Sequence, residues 1–87
     1  MIDVKEATKS AINYFTDIYG EKIRGIAVEE IELSDDEHYW YITIGYIDES
    51  QSTGYFQPFG QNRVYKIFEI DAKDGTVKSM KMRDDTE

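Results

Sequence analysis

Apolar residues recur at steps of three and four positions near the start of the chain. The stripe consists of Val4, Ala7, Ala11, Phe15 and Ile18, and it is widened by Ile12 and Tyr19. This spacing places the side chains on one face of a helix and predicts a helix over residues 3–19. Asp3 and Glu6 have the spacing of a capping box, and Gly20 suits the left-handed conformation that ends many helices. We therefore expect the five stripe residues to be buried against the rest of the protein.

After Gly25 the period of the apolar residues changes to two, which is typical of β-strands. We predict four strands, at about residues 23–33, 38–47, 63–71 and 76–83. Consecutive antiparallel strands usually pair as neighbours. The chain therefore predicts a single α+β domain over residues 1–87, in which the N-terminal helix packs on a curved, four-stranded antiparallel meander sheet.

The first predicted strand changes phase along its length. Ile26 and Val28 have one parity, whereas Ile31 and Leu33 have the other. Such a change predicts a β-bulge near residues 29–30, which would bend the strand around the helix.

The second and third strands each have two distinct faces. We expect one face to meet the helix, through Trp40, Ile42, Ile44, Phe68 and Ile70. If the two strands pair, the opposite face carries Tyr39, Tyr41, Tyr65 and Ile67 together. Gly45 interrupts the second strand and indicates a kink or a close backbone approach.

The second half of the chain resembles the PepSY domain family, in which a Y-x-V-x-V strand precedes a strand ending in V-D-A-x-T-G-x-V. The resemblance is carried by residues 39–44 and by residues 64–77, above all by the run from Asp71 to Val77. The order of elements is also similar to that of cystatin-type folds. The resemblance implies a binding or inhibitory module without catalytic residues, of a kind often found in protease propeptides. The inhibitory Q-x-V-x-G loop of cystatins is absent.

The charge of the chain narrows the choice of partners. There are 18 Asp and Glu residues against 10 Lys and Arg residues, so the formal net charge is −8. Such a surface repels nucleic-acid phosphates and anionic lipids, and we expect neither nucleic acid nor membrane as a partner. No apolar run approaches the ~18–20 residues of a membrane span, and the start lacks the pattern of a secretion signal. We expect a cytoplasmic protein, with secretion after processing as the alternative.

Catalytic and metal-binding chemistry finds little support in the chain. The chain has no cysteine and one histidine, which excludes thiol catalysis and cysteine or histidine-cluster metal sites. His38 follows three acidic residues and is interpreted as a solvated turn residue. The acidic run over residues 29–37 lacks the alternating spacing of a calcium loop. We therefore expect no catalytic residue, no metal and no cofactor.

Aromatic residues are the most informative feature. Seven Tyr, four Phe and one Trp exceed what one helix and one sheet face can bury. The predicted protein-binding residues are Tyr39, Tyr41, Tyr65 and Ile67 on the sheet, and Tyr55, Phe56 and Phe59 in the long segment 48–62. The segment's aromatics either anchor a partner or close the end of the sheet. We expect a small acidic, non-enzymatic module that binds another protein or a second copy of itself. The alternatives are an enzyme inhibitor, by family analogy, and an acidic decoy that mimics nucleic acid.

Overall fold

A computed structural model of the chain describes residues 1–48 and 63–83. Helix α1 spans Val4–Tyr19 and is followed by a 3-10 turn, Gly20–Lys22. The strands are β1 (Ile23–Leu33), β2 (Tyr39–Asp48), β3 (Arg63–Asp71) and β4 (Val77–Met82). They form one antiparallel sheet in the order β1-β2-β3-β4, so β1 and β4 are its edges within the described residues. The predicted α+β meander is confirmed.

Both predicted ends of the helix are present. The Asp3 side chain accepts a hydrogen bond from the Glu6 backbone N–H at 2.9 Å, which satisfies one of the donors that a helix start leaves free. Gly20 follows the last helical residue with a φ of +57° and a ψ of −124°. The positive φ is as predicted, but the conformation lies outside the left-handed helical region, and glycine adopts it because it has no Cβ.

The core lies between α1 and the face of the sheet that we call the inner face. Phe15 is at its centre, with its ring centroid 4.8 Å from that of Tyr46 and 5.5 Å from that of Phe68. The residues with no exposed surface are Ala7, Ala11, Phe15, Ile42, Ile44, Phe68 and Ile70. Trp40 is partly buried and packs against this cluster. The predicted inward-facing residues of β2 and β3 are therefore confirmed.

The prediction that all five stripe residues are buried is wrong at the two ends of the helix. Val4 is 37% exposed and Ile18 is 52% exposed. α1 contacts all four strands. The helix runs along the strands, because Ile2 at its start bonds Ala72 and Trp40 whereas Phe15 packs on Tyr46 near the other end of β2. Val4 lines an open groove beside Ile31 of β1, which leaves its side chain partly exposed.

Strand β1 contains two shifts of register against β2. The shift between Val28 and Glu30 is the predicted bulge, and it places Val28 opposite Ile44 and Ile31 opposite Ile42, on one face. The other shift, between residues 24 and 27, was not predicted. It contains Gly25, whose φ of +66° is the conformation that a glycine-containing bulge requires.

Candidate protein-binding surfaces

The sheet face that points away from α1, here called the outer face, holds four of the predicted binding residues. Tyr39 pairs with Asp71, Tyr41 with Glu69, Thr43 with Ile67, and Gly45 with Tyr65. Because directly paired residues share a face, Tyr39, Tyr41, Tyr65 and Ile67 lie together there, as predicted. Each is partly buried. The other three predicted residues, Tyr55, Phe56 and Phe59, lie outside the described residues.

Charged side chains from the neighbouring strands extend over this outer face. The Arg83 guanidinium lies 5.3 Å from the centroid of the Tyr65 ring, and its Nη1 lies 3.5 Å from Glu30 Oε1. Arg63 Nη2 lies 3.5 Å from Glu29 Oε2 and donates a hydrogen bond to the Gly25 carbonyl oxygen at 2.9 Å. These contacts join β3 and β4 to β1 across the sheet.

Gly45 makes room for this arrangement. A Cβ at position 45 would lie 2.6 Å from Glu29 Oε2, 2.9 Å from Tyr65 Cε1 and 3.1 Å from Arg63 Nη2. A close approach is therefore present at Gly45, but it is made by side chains of the neighbouring strands, whereas the sequence had suggested an approach of backbone. Because residue 45 has no side chain, the Tyr65 ring and the Arg63–Glu29 pair can pack close to the backbone at the centre of the sheet.

Tyr41 has its hydroxyl already engaged. It donates a hydrogen bond to Glu69 Oε2 at 3.0 Å. This hydrogen bond to a carboxylate raises the pKa of Tyr41 above its ordinary value of 10.0, because ionisation would break the bond and place two negative charges together. Beside Tyr41 is a shallow depression of about 500 Å³, also lined by Thr43 and Ile67. Thr43, at the middle of the outer face, is buried.

A different part of the molecule exposes aliphatic side chains. Val28 is 37% exposed and Ile31 is 44% exposed, although both point to the inner face of β1. A groove of about 410 Å³ runs between β1 and the first half of α1. It is lined by Val4, Lys5, Thr8, Lys9, Ile12, Asn13 and Ile31. We call the aliphatic part of this region the β1 margin, which consists of Val4, Ile12, Val28, Ile31 and Leu33.

Sequence reasoning missed the β1 margin because it treated every inward-facing residue as a core residue. A usable signal was present, since the predicted meander places β1 at an edge. An edge strand has a neighbour on one side only, and one helix covers a limited width of sheet. The two observations together indicate that Val28 and Ile31 keep part of their surface in water.

The loop between β1 and β2 is a hydrogen-bonded turn. Asp36 Oδ1 accepts hydrogen bonds from the Ser34 hydroxyl at 2.6 Å and from the His38 backbone N–H at 2.9 Å. These two bonds, the Ser34 bond most strongly, lower the pKa of Asp36. His38 Nδ1 lies 3.5 Å from Asp36 Oδ2, and both side chains are largely exposed. The loop therefore stabilises the β1–β2 connection.

Among residues 1–48 and 63–83, no three acidic or histidine side chains gather in a way that could hold a metal ion. The described helices include none with the length and apolar character needed to cross a membrane.

Comparisons with family models, with curated proteins and with solved structures find no match to this chain. The PepSY and cystatin resemblance therefore stays a prediction that rests on the quoted sequence motif.

Proposed function

We propose that this protein is a non-enzymatic module that binds another protein, and that it does so through the β1 margin. The observation that carries the proposal is the group of exposed aliphatic side chains, Val4, Val28 and Ile31, beside an edge strand. Contiguous exposed apolar surface next to polar residues is typical of protein interfaces. The lysines of α1 that line the same groove, Lys5 and Lys9, supply such a polar border.

The geometry favours the β1 margin over the outer face. Tyr41 and Tyr65 are engaged by Glu69 and Arg83, and a partner would have to displace these contacts. At the β1 margin a partner would cover side chains that water contacts already, which is favourable by roughly 25 cal/mol per Å² of apolar surface buried. Binding through Tyr39, Tyr41, Tyr65 and Ile67 stays a prediction. If the PepSY resemblance reflects kinship, the bound protein would be an enzyme that the module inhibits.

The experiment compares two lysine substitutions on immobilised protein. Ile31→Lys changes the β1 margin, and Ile18→Lys changes an equally accessible isoleucine at the far end of the helix. A protein captured from the source cells by wild type is purified and titrated against all three forms. We expect wild type and Ile18→Lys to bind it alike and Ile31→Lys to bind at least about tenfold more weakly, as loss of a buried anchor does. Equal binding by all three forms would contradict the proposal.

A further inference from the structure

We propose that the β1 margin takes up an extended segment of another protein as an additional strand beside β1, and that this segment alternates aliphatic and basic side chains. The inference rests on the function proposed above and adds the conformation and the chemistry of the bound partner.

The backbone of β1 offers a short regular edge for such pairing. The Ser34 N–H donates to the Tyr39 carbonyl oxygen at 2.9 Å, and this bond sets the phase of the ladder. In an antiparallel pair, hydrogen-bonded residues alternate with residues that are not bonded to the partner strand. Glu30 and Glu32 therefore direct their backbone groups to β2, whereas Ile31 and Leu33 direct theirs to the open edge. No register shift interrupts residues 30–33.

The inner side of an added strand would meet aliphatic surface. Ile31 pairs with Ile42 and Leu33 pairs with Trp40, so both side chains point toward the helix side of the sheet. Side chains of the new strand on this side would lie next to Ile31 and Leu33 and would cover the groove that reaches Val4. Aliphatic side chains match this surface, because burying apolar area is the favourable term there.

The outer side of an added strand would meet carboxylates. Glu30 pairs with Thr43 and Glu32 with Tyr41, so both glutamates lie on the outer face, and both are exposed. Glu30 stays exposed although Arg83 Nη1 lies 3.5 Å away. Opposite charges on neighbouring strands are favourable and like charges are unfavourable. Basic side chains therefore match this side, and the net charge of −8 adds attraction at longer range.

The same carboxylates argue against pairing of two β1 edges. In such a dimer, Glu30 and Glu32 of one copy would lie beside those of the other. The two bulges of β1 further restrict regular pairing to the short stretch after Val28. Acidic residues and bulges thus discourage self-association at this edge while leaving it open to a basic strand.

Strand β4 of a second copy is the alternative occupant, because Val77–Met82 itself mixes apolar and basic residues. Contact between β1 of one copy and β4 of the next is head-to-tail and would repeat along a chain of molecules. Sedimentation of wild type separates the two cases. We expect a monomer at all concentrations, and growth into large species would overturn the assignment to another protein.

The direct test uses peptides with blocked ends. The basic alternating peptide KVKIKVK is compared with its acidic counterpart EVEIEVE and with KKVIVKK, which has the same composition without the alternation. Fluorescence anisotropy gives the affinities. We expect KVKIKVK to bind at least about tenfold more tightly than EVEIEVE, because two cross-strand charge pairs change sign. Equal affinity for KVKIKVK and KKVIVKK would overturn strand addition.

Amide hydrogen exchange locates the peptide. The Arg83 N–H donates to the Tyr65 carbonyl oxygen at 3.0 Å, so by the same alternation the amides of Met80 and Met82 face the opposite open edge. We expect KVKIKVK to slow exchange at Ile31 and Leu33 and to leave Met80 and Met82 unchanged. Equal slowing at both edges, or none at Ile31 and Leu33, would contradict the inference.

A charge-reversed variant, Glu30→Lys with Glu32→Lys, completes the design. We expect it to bind EVEIEVE more tightly than KVKIKVK, and an unchanged preference would overturn the charge argument.

Failure of the inference is distinguishable from failure of the proposed function. If no peptide binds but Ile31→Lys still loses the captured protein, the β1 margin binds a partner by another geometry. If neither effect is seen, both proposals are wrong.

Discussion

The outer face and the β1 margin differ in how far their side chains are covered by other parts of the protein, and the difference is not the one that their compositions suggest. The outer face carries large aromatic side chains, yet Tyr65 lies under Arg83, Tyr41 is bonded to Glu69, and Thr43 at its centre is buried. The β1 margin carries smaller aliphatic side chains, yet Val28 and Ile31 remain substantially exposed. Position in the sheet, more than the size of a side chain, therefore decides which surface is left for a partner.

The physical cause is the number of neighbouring strands. On the outer face, residues of β2 and β3 have a strand on each side, and long side chains from both edges reach over them. Arg83 and Glu30 meet in this way across the sheet. Among the described residues, β1 has a paired strand on one side only, and α1 is the only element above its inner face. These contacts indicate that the outer face contributes to stability, and the exposure of Val28 and Ile31 supports the proposal that the β1 margin binds a partner.

The largest expected loss of stability comes from a substitution in the core, against which losses at the two surfaces can be compared. Phe15 has no exposed surface and contacts the rings of Tyr46 and Phe68. Phe15→Ala should lower the free energy of unfolding by about 3–5 kcal/mol, because it removes contacts and leaves a cavity. Urea unfolding measures this value. A loss below about 1 kcal/mol would mean that the core is centred elsewhere.

A substitution at Gly45 tests whether the outer face is as closely packed as its distances indicate. A Cβ there would lie 2.9 Å from Tyr65 Cε1, so Gly45→Val should lower the free energy of unfolding by about 1–3 kcal/mol. The cost should fall in part when Tyr65 is also changed to alanine, since that removes one of the three close contacts, while those to Glu29 and Arg63 remain. Strict additivity of the two changes in a double-mutant cycle would argue against close packing at this point.

A matched pair of isoleucines compares the two surfaces directly. Ile67 lies on the outer face between β2 and β4, and Ile31 belongs to the β1 margin. Ile67→Ser should cost more than Ile31→Ser, by roughly half a kcal/mol or more, because Ile67 is the more buried of the two. Urea unfolding of both variants in one series measures the difference. A larger loss for Ile31→Ser would reverse the assignment of stability to the outer face.

The smallest effect concerns the pH dependence of the outer face. The folded-state pKa of Tyr41 is raised above 10.0 by its hydrogen bond to Glu69. A group with a raised pKa contributes stability that is fully present below its unfolded-state pKa and is lost as the pH rises through the folded-state value. Wild type should therefore exceed Tyr41→Phe in stability by a constant amount from pH 7 to about 9, and by less above the raised pKa. A difference that shrinks already between pH 7 and 9 would show that the hydrogen bond is not the cause.

Much of the fold could be predicted from local patterns. The stripe Ala7, Ala11 and Phe15 and the cap at Asp3 define the helix, because helix geometry depends on residues three and four apart. In β2 and β3, side chains two positions apart share a face, which separates Trp40, Ile42 and Ile44 from Tyr39, Tyr41 and Thr43. The phase change after Val28 predicts a bulge, since only an extra residue can return Ile31 to the same face.

The exposure of individual side chains could not be predicted, because it depends on contacts between residues that are far apart in the sequence. The exposure of Val4 depends on the groove that separates it from Ile31 of β1, and the coverage of Tyr65 depends on the reach of Arg83, 18 positions further along the chain. Neither quantity appears in a local pattern. The location of Tyr41 and Tyr65 on one face was predictable from the meander, whereas their contacts with Glu69 and Arg83 were not.

The most direct test of the comparison is photo-cross-linking in the source cells. A photoreactive amino acid replaces Ile31 in one variant and Ile67 in another, so that each surface carries the same chemical probe. We predict a discrete adduct with another protein from position 31 and little or none from position 67. A discrete adduct from position 67, with none from position 31, would contradict the account and assign binding to the outer face.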